Sequence, residues 1–423
     1  MSGSKVLLAL ALLVTAAAHG QQVPELLLPP TSTGAVLAEE QRTLADLLKE
    51  EGVVGGRLMR LNRPMLAKLA GSGQSGGTQM KVALAPDDVE TVRIESAVTD
   101  AGGAEELTGN MTGTEETTFF LAFDNKGGAA GTVDMGARFF EIRGVDADTV
   151  GVLEIDRSKL SPDDDESGEA GQPPPPAAKV SAPPPAAKSG EITTFRVLIL
   201  YSVVAAQRAG RNVNMIATVA VMNLNAALRQ SRINAQASLV STEIATAVPD
   251  DLRNNPLKTL MDDGAVRGLR ARREADIVTA IVTQLPTGIR GKGNIFTGSA
   301  REFAPKAYSV VKFAAVMTYT YAHEVGHNLG CAHDDQAGGR FTSSHGYQVR
   351  TETTGQKRKG FRTVMARGKA CPGNSCERVL HFSDPNVLFN NRPTGTADRN
   401  NADTIRRTIS AVARFHKLIP ASR

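Results

Sequence analysis

Residues 323–333 read His-Glu-Val-Gly-His-Asn-Leu-Gly-Cys-Ala-His, with Asp334 next. On a helix, His323 and His327 lie four residues apart and project from one face, so both imidazoles can reach a single ion. Glu324 sits one residue on from the first histidine, where its carboxylate can hydrogen-bond a metal-bound water without itself ligating the metal. Gly330 can end the helix with a left-handed backbone, turning the chain back to deliver His333 as a third ligand. Three neutral nitrogen ligands with a fourth position left to water is the arrangement of catalytic rather than structural zinc. Such an ion lowers the pKa of its water to about 7 and polarises a carbonyl. The bland alternative is a helix whose histidines are surface or core residues. Against it stand a glycine and a third histidine at fixed offsets, in a chain with only 7 histidines.

The pattern His323-Glu324-x-x-His327-x-x-Gly330-x-x-His333 resembles the metzincin metallopeptidases. Asn328-Leu329-Gly330 and Asp334 are similar to the reprolysin (adamalysin/ADAM-like) branch. Metzincins place a methionine in a tight turn beneath the zinc, and Met365, in Thr363-Val364-Met365-Ala366, fits that role by resemblance. The strand-like run Val197–Tyr201 and the segment Asn225–Ile233 look like the family's opening strand and the helix and strand after it. Phe382–Asn386 and Pro393–Gly395 resemble the tail of the bacterial-type reprolysin-like group, which includes peptidyl-Asp metalloendopeptidases. The resemblance spans about residues 192–416 and is strongest at the motif. It implies one catalytic Zn²⁺ held by His323, His327 and His333, with Glu324 as general base, Gly330, Asp334 and Met365 as structural neighbours, and protein or peptide substrates. Some metzincins carry a tyrosine two residues after the methionine; Arg367 stands there instead, so no fifth ligand is assigned. His345, His381 and His416 are read as structural or exposed, because the three-histidine set is already complete.

Residues 1–20 open with Lys5, continue with an apolar run from Val6 to Ala18 and end in Ala18-His19-Gly20, the pattern of a secretory signal peptide. The run is too short to span a bilayer, and no later one is long enough. The chain is therefore expected to leave the cytoplasm, to the extracellular space or, in a bacterium, the periplasm. Residues 161–191 hold Pro173 to Pro176, Pro183 to Pro185 and the acidic run Asp163–Glu166, a composition that reads as an extended linker. This divides the chain into a leader (1–20), a proximal region (21–160), the linker (161–191) and a distal domain (192–423).

Residues 1–191 carry 16 Lys+Arg against 28 Asp+Glu, and residues 192–423 carry 32 against 16. Regions of opposite sign invite docking of one on the other. A basic domain also raises nucleic acid as a partner, but no binding motif accompanies it and aromatics are scarce at 4%. The 3 cysteines all lie in the distal domain. Cys371 and Cys376 enclose four residues and fit a small loop disulfide, which leaves Cys331 an odd, buried thiol; three pairings are open.

The proximal region begins with a helical pattern around Val36–Leu48 and continues through short strand-like runs at Thr117–Phe123, Thr132–Val133 and Arg138–Ile142, a small β-rich domain. By its position and charge it is read as a propeptide, acting as an intramolecular inhibitor. In the distal domain, Thr194–Tyr201, Ala237–Ser241 and Ala275–Val282 read as strands. Asn212–Arg229 reads as an amphipathic helix, Val266–Arg273 as helical, the motif helix as about Thr318–Leu329 and Ala402–Phe415 as a closing helix. The fold expected is α/β: a twisted sheet with helices above a zinc cleft and a small irregular part below, preceded by the β-rich prodomain. The functional expectation is a secreted zinc endopeptidase made as a zymogen. The rivals are a non-catalytic binding protein on the same scaffold, against which Glu324 argues, and a zinc hydrolase of another substrate class.

Overall fold

Two sheets share one helix. The computed structural model describes residues 23–71, 76–100, 103–113, 117–161, 191–334, 338–351, 359–367 and 376–419. The leader, and the linker apart from its two end residues, lie outside the described residues. The proximal strands are β1 (Leu27–Leu28), β2 (Val53–Leu61), β3 (Thr78–Ala85), β4 (Asp88–Thr99), β5 (Glu105–Met111), β6 (Thr118–Phe123), β7 (Ala129–Asp134), β8 (Phe139–Gly144) and β9 (Thr149–Ile155). They pair antiparallel in the order β1-β2-β9-β8-β7-β6-β5-β4-β3. The sheet closes on itself where Leu26 N donates to Lys81 O and Lys81 N to Pro24 O, each at 2.8 Å.

Closure gives the strands two distinct faces. Because side chains alternate across a strand, Phe119, Leu121, Val133, Phe140, Ile142, Val150 and Val152 fill the interior with Met80, Val82 and Leu107. Phe120, Ala122, Phe139 and Leu153 point outward, yet they are buried too, because they join the core of the distal domain. The run Thr118–Phe123 is accordingly buried at every position.

The distal sheet is built from β10 (Thr193–Tyr201), β11 (Ala235–Ile244), β12 (Ile277–Val282), β13 (Gly291–Gly293) and β14 (Tyr308–Lys312) in the order β11-β10-β12-β14-β13. All pairings are parallel except that of β13, the antiparallel edge. β10 and β12 are near-continuous apolar runs, as strands covered on both faces require. The helix Val213–Gln230 packs between the two sheets, and 13 of its 18 residues are buried. Its sequence suggests an amphipathic helix; it is buried nearly all round, because the proximal sheet covers the face that would otherwise meet solvent.

Polar contacts stitch the seam. The Asn212 side chain accepts from Ala129 N at 3.1 Å and donates to Gly144 O at 2.7 Å. Lys312 pairs with Glu51, and the Arg143 guanidinium lies 5.2 Å from the Phe313 ring centroid while pairing with Glu141 and Glu50. Below the distal sheet the chain is short-stranded until the helix Asn401–Val412. There the Asn400 side chain caps the first turn by accepting from Asp403 N at 2.9 Å, and Ala402, Ile405, Ile409 and Val412 face inward. A separate short helix, Phe415–Leu418, follows, so the closing helix ends before Phe415. Among the described residues no helix is long and apolar enough to cross a membrane.

Glu106, on the same proximal sheet, has its carboxyl pushed up to about 7 by burial and, second, by Asp100. The folded state then holds the proton more tightly than the unfolded chain, whose carboxyl sits near 4.5. Stability should fall as pH rises from about 4.5 through about 7. Glu106→Gln is expected to raise Tm at pH 8 and to leave it nearly unchanged at pH 4. Thermal melts at the two pH values check this, and an equal shift at both would contradict it.

Candidate active site

The motif helix spans Tyr321–Asn328 and is fully buried. It starts later than the spacing predicts, because Thr318 (φ −90°, ψ 31°) and Tyr319 (φ 73°, ψ 1°) break the helical backbone ahead of it. A tyrosine at positive φ costs about 1–3 kcal/mol and persists only where its surroundings hold it. Here its hydroxyl donates to Asp134 Oδ2 at 2.6 Å. At the other end, Asn328 Nδ2 donates to the carbonyls of Asn294 at 2.8 Å and Tyr308 at 3.2 Å, tying the helix to the distal sheet. Gly330, at φ 102°, reverses the chain, and Ala332 is caught by Ser344 O at 2.7 Å and by Gly346 N at 3.0 Å. That return brings His333 beside the helix.

His333 Nε2 lies 3.0 Å from His323 Nε2 and 3.1 Å from His327 Nε2. The other ring nitrogens explain what this means. His323 Nδ1 is 2.8 Å from Val364 O, and His327 Nδ1 is 2.8 Å from Cys331 O. A carbonyl only accepts, so each Nδ1 carries the proton and each Nε2 presents a bare lone pair. Two buried lone pairs aimed at a third ring, which can offer at most one proton between them, call for a cation. A tetrahedral zinc with Zn–N of about 2.0–2.1 Å would separate its nitrogens by about 3.3 Å, close to the spacing here. Among the described residues these three histidines are the one group of three or more metal-ligating side chains that could hold an ion.

The surroundings fix the triad. Met365 lies directly beneath the helix: a Cβ at Gly326 would collide with its sulfur and sit 3.2 Å from Phe382. Asp334 Oδ1 accepts from Arg367 N at 2.9 Å, joining the loop after His333 to the turn after Met365. His345 Nδ1 binds His333 O at 2.8 Å. His381 contributes its backbone carbonyl to Val364 N, and burial holds its imidazole down at about 4. His416 Nδ1 contacts Asp276 at 2.7 Å. Cys331 is a free thiol whose pKa burial pushes well up; its contribution is the carbonyl on His327. Cys376 is disulfide-bonded, and its expected partner, Cys371, lies outside the described residues.

Glu324 is fully buried against β13, a contact that sequence reasoning missed. A Cβ at Gly291 would stand 2.7 Å from both Cγ and Cδ of Glu324, and one at Gly293 would collide with the Glu324 carbonyl. The Gly-Lys-Gly strand can lie on the helix only because it lacks side chains on that face. Alternate glycines in a strand are a signal of close approach, but three residues are too few to stand out as a strand.

Three histidines that could hold a metal ion thus converge on a buried helix, with a carboxylate one residue along and a sheet edge above. Residues 194–375 match the family Reprolysin_5, metallo-peptidase family M12. The chain is 26% identical over 216 residues to a peptidyl-Asp metalloendopeptidase of Xanthomonas campestris pv. campestris, covering 50% of this chain and 49% of the relative. It is 26% identical over 244 residues to a protein of the same name from Stenotrophomonas maltophilia, covering 54% of each. The chain thus spans about half the length of the curated relatives it matches. A solved structure, metalloproteinase-II from Bacteroides fragilis, aligns with TM-score 0.41 and 11% identity over 64% of this chain and 85% of that one.

Gly291→Ala should push the Glu324 carboxylate off its position while leaving the three histidines in place. Activity is expected to fall by about 10²-fold with metal content, read by atomic absorption, unchanged. Full activity in this variant would show that the close approach of β13 is immaterial.

Proposed function

We propose that the chain is a zinc-dependent endopeptidase that acts outside the cytoplasm and is made as a zymogen. The observation that carries the reading is the convergence of three imidazole nitrogens, two of them forced into the bare Nε2 form, beside the buried carboxylate of Glu324. The M12 match over residues 194–375 and the peptidase relatives support it.

His323, His327 and His333 would hold the ion. When bound, zinc lowers the pKa of a coordinated water and polarises the carbonyl to be cut. Glu324 takes the proton from the attacking water and passes it to the leaving amine, so one carboxylate serves as base and then acid. Val364 O and Cys331 O hold two of the imidazoles in the tautomer and orientation the metal needs. The turn of Met365 and the bond from Asp334 to Arg367 keep the floor of the site rigid.

The leader-like residues 1–20 support export. The linker 161–191 is the segment whose cleavage would mature the enzyme, and Lys179 and Lys188 offer single basic sites within it. Residues 1–330 contain no cysteine, so latency by a proximal thiolate on the metal is excluded. The excess of Lys and Arg in residues 192–423, and the peptidyl-Asp name of the relatives, favour substrates with acidic side chains around the cut.

The test uses the full chain, before and after limited cleavage of the linker, on an unfolded protein substrate. Cleavage should stop with a zinc chelator. It should fall by about 10²–10⁴-fold in Glu324→Ala with zinc still bound; a zinc-loaded variant as active as the parent would sink the assignment of Glu324. A peptide library read by mass spectrometry should show cuts enriched beside Asp or Glu, and indifference to acidic side chains would remove the proposed preference.

A further inference from the structure

One buried polar contact beside the motif helix is not used by the proposed chemistry, and it comes from the proximal sheet. Tyr319, four residues before His323, is held at φ 73° in the segment that launches the helix. Its hydroxyl donates to Asp134 Oδ2 at 2.6 Å and lies 3.4 Å from Thr118 Oγ1. Burial pushes its phenol pKa well up, so the group stays a donor. Asp134 is in turn fixed by Arg157, whose guanidinium reaches Oδ2 at 2.8 Å, and by Gly136 N at 2.8 Å. Arg157 caps the cluster, donating to Gly136 O at 2.9 Å and lying 4.9 Å from the Phe139 centroid, and Phe139 meets the Tyr319 ring edge-on at 5.7 Å. A backbone conformation unfavourable to tyrosine is thus maintained by five residues that all precede the linker.

The same sheet closes the core. Phe120, Ala122, Ala130, Phe139 and Leu153 belong to one apolar cluster with the helix Val213–Gln230. Removing them would lay bare one face of a helix that is buried nearly all round, together with Asn212 and Lys312, which have proximal partners. Large contiguous apolar surfaces are not left open to water, and the two regions also carry opposite charge.

We propose that the proximal sheet stays bound as a structural subunit of the peptidase after the linker is cut, and that Asp134 acts through Tyr319 as a positioning residue for the motif helix. The second half rests on the endopeptidase reading; the first does not. Maturation then severs the chain without discarding the proximal region, and whatever relieves latency leaves this docking face intact.

The test begins with the full chain carrying a recognition site for a specific endoprotease inserted between residues 161 and 191. After cutting, both pieces should elute from a sizing column in one peak with the metal retained. Separation into a free proximal piece and a monodisperse, metal-loaded, fully active 192–423 piece would overturn the proposal. Tyr319→Phe keeps the ring packing and deletes the hydroxyl. Its kcat should fall about tenfold with KM little changed, and the visible absorption of the Co²⁺-substituted protein should shift. Asp134→Asn, which still offers an oxygen acceptor, should fall between parent and Tyr319→Phe. A Tyr319→Phe protein with parental kcat and cobalt spectrum would rule out the positioning role. If the parent cleaves no protein at all, the endopeptidase reading fails, while the elution profile and the cobalt spectrum still decide the inference.

Discussion

Two hydrogen bonds from imidazole Nδ1 to main-chain carbonyls set the chemistry of this molecule. Val364 O on His323 and Cys331 O on His327 leave each Nε2 without a proton, and the turn at Gly330 brings a third imidazole to within 3.1 Å of both. In a buried site such lone pairs repel unless a cation lies among them. The carbonyls come from different parts of the chain: one from the residue before Met365, the other from the return loop after the helix. The local path of the backbone therefore determines the tautomers, and the tautomers determine what the site can bind.

The backbone path depends in turn on packing from outside residues 194–375. The helix Val213–Gln230 is covered on one side by the distal sheet and on the other by the closed proximal sheet. The Tyr319 hydroxyl rests on Asp134 of the proximal sheet. The motif helix is pinned at its far end by Asn328 to the carbonyls of Asn294 and Tyr308. Edge strand β13 comes close to Glu324 because Gly291 and Gly293 present no side chains to it. The three imidazoles are thus held by elements drawn from most of the chain.

Much of this was legible in the sequence, and what escaped did so for physical reasons. The spacing of His323, Glu324, His327, Gly330 and His333 carries its own geometry, because a helix and one reversing glycine suffice to bring the side chains together. The strands at Thr194–Tyr201 and Thr117–Phe123 also stand out, since fully buried strands are long apolar runs. At 212–229 the helix itself is legible, but periodicity reports how apolar a face is, not which partner covers it. The sequence pattern starts the motif helix too early because Thr318 and Tyr319 have ordinary helical propensity; only the hydroxyl of Tyr319, bound 185 residues away in sequence, reveals the reversal. The Gly291–Gly293 strand is shorter than any pattern can register. Closure of the proximal sheet depends on pairing between residues 24–26 and Lys81, a long-range contact with no local signature.

The measurement that bears most directly on the three-histidine site is zinc K-edge X-ray absorption on the purified full chain, with metal content measured in parallel. One zinc per chain, bound by three imidazole nitrogens and an oxygen at about 2.0–2.1 Å with no sulfur, is the predicted result. A sulfur at about 2.3 Å, or a folded chain that takes up no stoichiometric zinc, would contradict the convergence of His323, His327 and His333 on a single ion.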